Sequence, residues 1–408
     1  MIYRGRLDDR PALLSVKNTS ISLAFEAEWV AAWDFGGRLY SLWKRGHTYR
    51  RGLNGRVLHK WHESEGLNPY DSRRRVSMEG DGVDAIVQET SDAAGRLKQA
   101  LAHDPVAWTN AAGRSPDADI LTIIDRCARF DARVARSDAA RFAKVYSPVG
   151  ILPPDQYLST VLQATEGCSF GSCTFCDLYH GEYRVKSGDE FKRHAQAVRD
   201  YLGDSASLRG RSFFLGSANA VAVPMERLVE FLDAIPELFG APLRPVHAFV
   251  DGFTGLRKTP ADYAELRSKG LGRVYVGLES GHDPLLAFVR KPASREQAVE
   301  TVRTIKAGGA PVGVIVMVGL GGREFAAGHV RDTITAVNEM GLGATDLLFF
   351  SDLAETPDTA YPQTAAAHNI QPLSLDDRRA QMAAIRAGLV FQCRPPQVAR
   401  YDVREFVY

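Results

Sequence analysis

From residue 157 onward, short β-branched or aromatic runs alternate with longer segments of helical period, and this rhythm constrains the fold more than any other feature of the chain. Strands are expected at 157–163, 212–215, 246–250, 273–277, 312–317 and 346–350, each a compact apolar run. Helices are expected between them at 191–202, 225–239, 260–269, 294–307 and 330–340, several ending on glycine. Parallel neighbours in a sheet need a crossover, and that crossover is usually a helix. Six strand-and-helix units in series therefore predict an α/β fold, a partial (βα)6 TIM-like barrel with helices on its outer face. Chemistry in such a fold gathers at the carboxyl ends of the strands, in the loops that follow them.

All five tryptophans lie in the first 108 residues of 408, a shift in composition that predicts a separate N-terminal unit. We place the domains at 1–150, 151–360 and 361–408. In the first, alternating strands are expected at 21–27 and 37–43 around the Gly36-Gly37 turn, with a helix at 117–136, giving an α+β domain. The last is a short C-terminal extension, a helix at 374–387 and a tail packing on the barrel. The first nine residues mix charged and apolar types without a secretory core, which predicts a cytoplasmic protein. The longest uncharged stretch, 307–322, is short of the roughly 20 apolar residues of a membrane span.

Fifty Lys and Arg against 49 Asp and Glu leave a formal charge of +1, so no overall field holds a polyanion. The average hides a local excess. Between Arg38 and Arg75, ten basic residues face three acids, Glu63, Glu65 and Asp71, a formal +7 interleaved with Trp43, Tyr49, Trp61 and Tyr70. That pattern suits phosphates and stacked bases, which makes RNA a candidate partner. It suits equally a carboxylate-rich small molecule, or a face that is solvated or paired within the chain. His47, His59 and His62 lie close together without a regular ligand spacing.

Three of the five cysteines, Cys168, Cys173 and Cys176, fall within nine residues, in the loop after the first expected strand of the series. Such bunching favours metal ligation over a disulfide framework. Zinc is one reading, with His180 as the nearest candidate for the fourth ligand that zinc usually takes. Three thiolates on a cubane iron–sulfur cluster would instead leave one iron open for a substrate or cofactor.

This triplet, with Phe175 before its last cysteine, resembles the radical S-adenosylmethionine (radical SAM) superfamily. The resemblance covers about residues 155–360 and extends to Gly277-Leu-Glu-Ser-Gly-His-Asp-Pro, Arg290-Lys-Pro, the glycine-rich run from Lys306 to Gly322, and His329-Val-Arg-Asp-Thr. That order is similar to the branch with coproporphyrinogen dehydrogenase-like, Elongator-like and methylthiotransferase-like cores. The sequence departs from the family in its first cysteine gap, which holds four residues instead of three, and Gly171 is the residue able to absorb the extra one.

The resemblance implies a 4Fe-4S cluster on Cys168, Cys173 and Cys176, with S-adenosylmethionine bound beside it and cleaved reductively. It implies oxygen sensitivity and an electron donor such as flavodoxin or ferredoxin. For S-adenosylmethionine it points to Phe175, to the turn Gly216, Ser217, Ala218 and Asn219 for the methionine amino group, and to Asp251 as a further polar group. Glu279 is the candidate for the ribose hydroxyls, Ser280 a second polar group on the same rim, and Arg290 and Lys291 candidates for the methionine carboxylate. Val316, Met317 and Gly319 would wall the adenine. Plainer roles compete at each place: an ordinary turn at 216–219, a helix cap for Glu279, a solvated pair at 290–291, and core packing at 316–319. Only Cys127 and Cys393 remain, too few for a second all-cysteine cluster, and no cobalamin-binding Asp-x-His-x-x-Gly run occurs in residues 1–150. The expected substrate is a non-protein, anionic organic molecule. RNA modification and a non-catalytic, metal-stabilised binding protein are the alternatives.

Overall fold

The computed structural model describes residues 1–26, 28–63, 72–179, 181–240, 244–354 and 359–408. They form two compact units. The first comprises Met1–Ser147, Ala197–Arg211 and Glu405–Tyr408; the second comprises Pro148–Gln196 and Ser212–Arg404. No helix among the described residues is long and apolar enough to cross a membrane.

The first unit is an antiparallel sheet of eight strands in sequential order, β1 (Ile2–Leu7), β2 (Arg10–Val16), β3 (Ile21–Phe25), β4 (Trp29–Trp33), β5 (Leu39–Lys44), β6 (His47–Arg51), β7 (Val57–His62) and β8 (Arg73–Met78). In β3 and β4 every second residue is buried, so one face of the sheet is core. Helix Asp81–His103 covers that core with Ile86, Val87, Ala93, Ala94, Leu97 and Leu101. The single helix expected at 117–136 is two, Ala118–Arg129 and Ala132–Val145. Asp131 leaves helical geometry and accepts the Val134 N–H at 2.7 Å, capping the second helix where the first has ended.

The second unit is built on seven parallel strands, β9 (Thr160–Gln163), β12 (Phe213–Gly216), β13 (Val246–Val250), β14 (Leu271–Glu279), β15 (Val312–Val318), β16 (Leu347–Asp352) and β17 (Gln397–Tyr401), adjacent in that order, while β10 (Thr165–Glu166) and β11 (Arg184–Val185) make a small separate ladder. The sheet is one strand wider than expected, because Gln397–Tyr401 pairs in parallel with β16 from Leu347↔Gln397 to Ser351↔Tyr401. Strands β9, β12 and β16 are buried throughout, as parallel strands covered on both faces should be. Asp155, just before β9, accepts the Tyr275 hydroxyl at 2.6 Å and pairs with Arg273 at 3.1 Å, both on β14, three strands away in the sheet. Phe214, Phe249 and Tyr275, on three adjacent strands, pack together with ring centroids 5.1–6.0 Å apart.

Candidate active site

The cysteine loop leaves the carboxyl end of β9 and is stapled at its base, where Thr165 pairs with Val185 and Glu166 with Arg184. Glu166 reinforces the closure with ion pairs to Lys186 and, at 3.1 Å, to Arg184, and these bonds hold its carboxyl below the usual range. Gly171 takes φ +58 with open space where a Cβ would stand, so the longer first gap is absorbed in a left-handed bend that glycine adopts freely.

Cys168, Cys173 and Cys176 are free thiols. Burial pushes Cys173 up against the opposing pull of Lys291. It pushes Cys176 up to about 12 even though that residue is the most exposed of the three, and the charges of Cys173 and Cys168 add to the effect. Iron would offset exactly that unfavourable thiolate charge. Among the described residues no group of three or more His, Cys, Asp or Glu side chains is gathered tightly enough for one metal ion. A cubane cluster takes each thiolate on a different iron, and three unbridged thiols on one closed loop fit it. His180 lies outside the described residues.

On one side the loop is tied to the ends of β12 and β13 through Asn219. The Asn219 amide donates to Ser169 Oγ at 2.9 Å, to Thr254 Oγ1 at 3.2 Å and to Asp251, and its oxygen accepts the Asp251 N–H at 2.8 Å. Asp251 in turn accepts the N–H groups of Phe253 and Thr254 at 2.9 and 2.7 Å. The turn before Asn219 is fixed by Thr165, which accepts the Ser217 N–H at 2.9 Å and donates to the Ala218 carbonyl at 3.0 Å. Sequence reading missed Thr165 and Glu166, although they stand immediately before Gly167-Cys168.

On the other side the loop meets the end of the short helix Asp283–Phe288. Thr174 N–H donates to the Val289 carbonyl at 3.0 Å and Ser172 Oγ to the Arg290 carbonyl at 3.2 Å, with Arg290 at φ +57. Lys291 Nζ reaches Glu279 Oε1 at 3.0 Å, both side chains nearly buried. Burial alone would lower the Lys291 ammonium, but Glu279 and Cys173 hold it above its ordinary value.

The remaining expected contacts divide. Phe175 and Met317 meet in one apolar cluster with Leu285, Val289, Leu320 and Leu353. Gly319, at φ +89, donates its N–H to Gln381 Oε1 at 2.8 Å. Val316 is fully buried in β15, and so is Ser280. Ser280 is thus not on the rim: the backbone turns at Glu279 and sends the next side chain inward to His329, 2.6 Å away.

The basic segment of the first unit is largely paired within that unit. Arg38 and Arg51 meet the buried Asp138 at 2.9 and 3.9 Å, Lys44 meets Glu89 at 2.8 Å, Arg45 meets Glu28 at 3.5 Å and Arg74 meets Glu63 at 2.6 Å. Lys60, Arg73 and Arg75 converge on Glu405 at 3.3, 2.9 and 3.6 Å. His47 and His59 bond each other at 2.8 Å, and His59 stacks between Tyr49 and Trp61. Glu65, Tyr70 and Asp71 lie outside the described residues.

Residues 162–327 match the family model of the Radical SAM superfamily. The match spans less than half of the chain, and the enzymes of that superfamily work with a 4Fe-4S cluster and S-adenosylmethionine. Among curated proteins, the protein nucleotidyltransferase YdiU of Exiguobacterium sp. is 30% identical over 100 residues, 24% of this chain, and the chain spans about a fifth (21%) of that relative's length. Among solved structures, coproporphyrinogen III oxidase of Escherichia coli, described as a radical SAM enzyme, is 14% identical, covers 61% of this chain and 54% of its own, and has a TM-score of 0.42. The radical S-adenosylmethionine methyltransferase TsrM of Kitasatospora setae, solved with cobalamin and a [4Fe-4S] cluster, is 16% identical over 55% of this chain and 44% of its own, with a TM-score of 0.40.

Proposed function

We propose that Cys168, Cys173 and Cys176 hold a 4Fe-4S cluster, that S-adenosylmethionine binds at the adjacent strand ends, and that the enzyme abstracts hydrogen from a non-protein organic substrate. When bound, the cluster supplies the electron that splits the sulfonium of S-adenosylmethionine into methionine and a 5′-deoxyadenosyl radical, itself renewed by a donor such as flavodoxin or ferredoxin. In this reading the seven-stranded parallel sheet is an incomplete barrel, with this site at its mouth. The chain's own residues bind and orient. Asn219 and Thr165 fix the loop and the neighbouring turn, leaving backbone groups of 216–219 to meet the methionine amino group. Glu279 presents carboxylate oxygens as acceptors for ribose hydroxyls, and Lys291 brings a cation for the methionine carboxylate. Phe175 and Met317 give the adenine an apolar wall and exclude water.

The observation that carries this reading is the stapled loop, because its backbone and side chains touch both the Asn219–Asp251 group and the Val289–Lys291 segment. The test is anaerobic reconstitution with iron and sulfide, followed by dithionite and S-adenosylmethionine. Formation of 5′-deoxyadenosine, lost in Cys176→Ala, is expected; a protein that binds a cubane cluster and makes none refutes the proposal. Pairing of the basic segment by acids of its own unit favours a small substrate over RNA. Accordingly, Arg73→Gln with Arg74→Gln and Arg75→Gln should leave 5′-deoxyadenosine formation unchanged and produce no salt-dependent loss of RNA binding.

A further inference from the structure

The turn that carries Glu279 is unusual, and the helix Gly322–Glu339 fastens it. Glu279 sits at φ +58, and the Ser280 N–H donates to the Leu278 carbonyl at 2.7 Å, closing a three-residue turn around it. The ladder between β14 and β15 slips at the same point, between Gly277 and Glu279. Left-handed backbone at a residue with a long side chain persists only where the surroundings over-determine it.

Those surroundings are three side chains with no exposed surface, Ser280, His329 and Thr333. Ser280 Oγ accepts the His282 N–H at 3.0 Å, so its own proton is free for His329 Nδ1 at 2.6 Å. Thr333 Oγ1 accepts the Gly281 N–H at 2.9 Å and lies 3.3 Å from the same Nδ1. His329 and Thr333 are four residues apart and share one face of the helix. The helix comes so close that a Cβ on Gly281 would stand 2.2 Å from the Asp332 carbonyl oxygen. Burial, with His282 adding, pushes the His329 imidazole down to about 4, which keeps the ring neutral, and the proton that Ser280 offers makes Nδ1 its acceptor.

We propose that His329 and Thr333 are positioning residues. Through Ser280 and Gly281 they hold the turn at Glu279, and with it the Glu279–Lys291 pair. The step from that pair to S-adenosylmethionine rests on the function proposed above, whereas the fastening of the pair does not.

The test separates the two. In the cofactor-free protein, reductive methylation of Lys291 is followed by peptide mass mapping, with Lys306, paired to Asp346 elsewhere in the same unit, as the internal reference. His329→Ala and the near-isosteric Thr333→Val should raise the labelling of Lys291 relative to Lys306 about fivefold, the signature of a local opening. His329→Asn, whose amide can reproduce the Nδ1 contact, should restore protection. Unchanged labelling in Thr333→Val and His329→Ala overturns the proposal, and so does an equal rise at Lys306, which would mean general loosening. Equilibrium binding of S-adenosylmethionine to the reconstituted variants is the second arm, with about a tenfold loss expected in His329→Ala. Exposed Lys291 with unaltered binding would leave the fastening standing and remove Glu279 from the proposed cofactor contacts.

Discussion

Gly277→Ala tests the site with little disturbance of the fold. A Cβ at this position would stand 2.4 Å from Glu279 Oε1 and 3.2 Å from Lys291 Nζ, where ordinary contact begins at 3.4 Å. The carboxylate must therefore retreat by about 1 Å. It is the tip of a flexible side chain, and Gly277 does not need a positive φ, so the strand itself can stay in place. Severing a hydrogen bond between charged groups costs about 1.5–3 kcal/mol, and a pair that slides outward together should lose less than that. A misplacement of about 1 Å at a reacting site can cost about 100-fold in rate, near 2.7 kcal/mol of barrier. The assay is the rate of 5′-deoxyadenosine formation, with iron content and thermal melting measured on the same sample. We expect iron content unchanged, melting within a few degrees and a rate down about 100-fold. Gly313→Ala is the contrast: its Cβ would be 2.4 Å from the ring of Tyr275, which has no exposed surface and is anchored to Asp155 at 2.6 Å. There overpacking of about 1–3 kcal/mol should appear as lost stability. A Gly277→Ala enzyme within threefold of the wild-type rate, or the same stability loss in both variants, would refute the reasoning.

Other outcomes can be checked independently. Asp138→Ala strands the buried guanidinium of Arg38, and a cost of about 3–5 kcal/mol should be visible in urea denaturation of the first unit; a loss below about 1 kcal/mol would show that the charges rearrange. Asn219→Ala unties Ser169 from Asp251, so iron retained per chain after reconstitution and gel filtration should fall while the melting transition persists; full retention would remove Asn219 from the support of the loop. Glu405 works by acid–base linkage. Burial opposes its ionisation, but Arg73 and Lys60 prevail and hold the carboxyl below 4.5, so its contribution is complete above that pH and is lost as pH falls through the lower folded value. Wild type should therefore lose stability below pH 4.5 more steeply than Glu405→Gln, and parallel acid profiles would contradict this.

The alternation after residue 157 was enough to find the first six parallel strands, because each is an apolar run between turn residues. β17 escaped because Gln397–Tyr401 is an edge strand with polar and charged positions and half-exposed side chains. β4 escaped because Trp-Val-Ala-Ala-Trp carries its alternation in accessibility, not in polarity. The cysteine loop was legible because its three thiols are local in sequence. The partners of Ser280 were not: His329 lies 49 residues further on, and only the close approach of a helix brings it in. Pairing within the chain was among the readings open for the basic run, but its partner could not be named from the sequence, because Glu405 lies 345 residues beyond Lys60.

That distant partner belongs to a segment with a further role in the first unit. Tyr408 is buried against Phe142 and Tyr146, lies under the Arg209 guanidinium at 4.5 Å, and accepts the Asn54 N–H on its carbonyl at 3.2 Å. The unit that begins with Met1 thus contains pieces made only after the parallel sheet has been synthesised. At about 5–20 residues per second, the ribosome needs roughly 13–50 s to travel from Ser147 to Tyr408. Until then the Phe142–Tyr146 surface lacks its Tyr408 cover, so the unit whose synthesis starts first is completed by residues made after the parallel sheet.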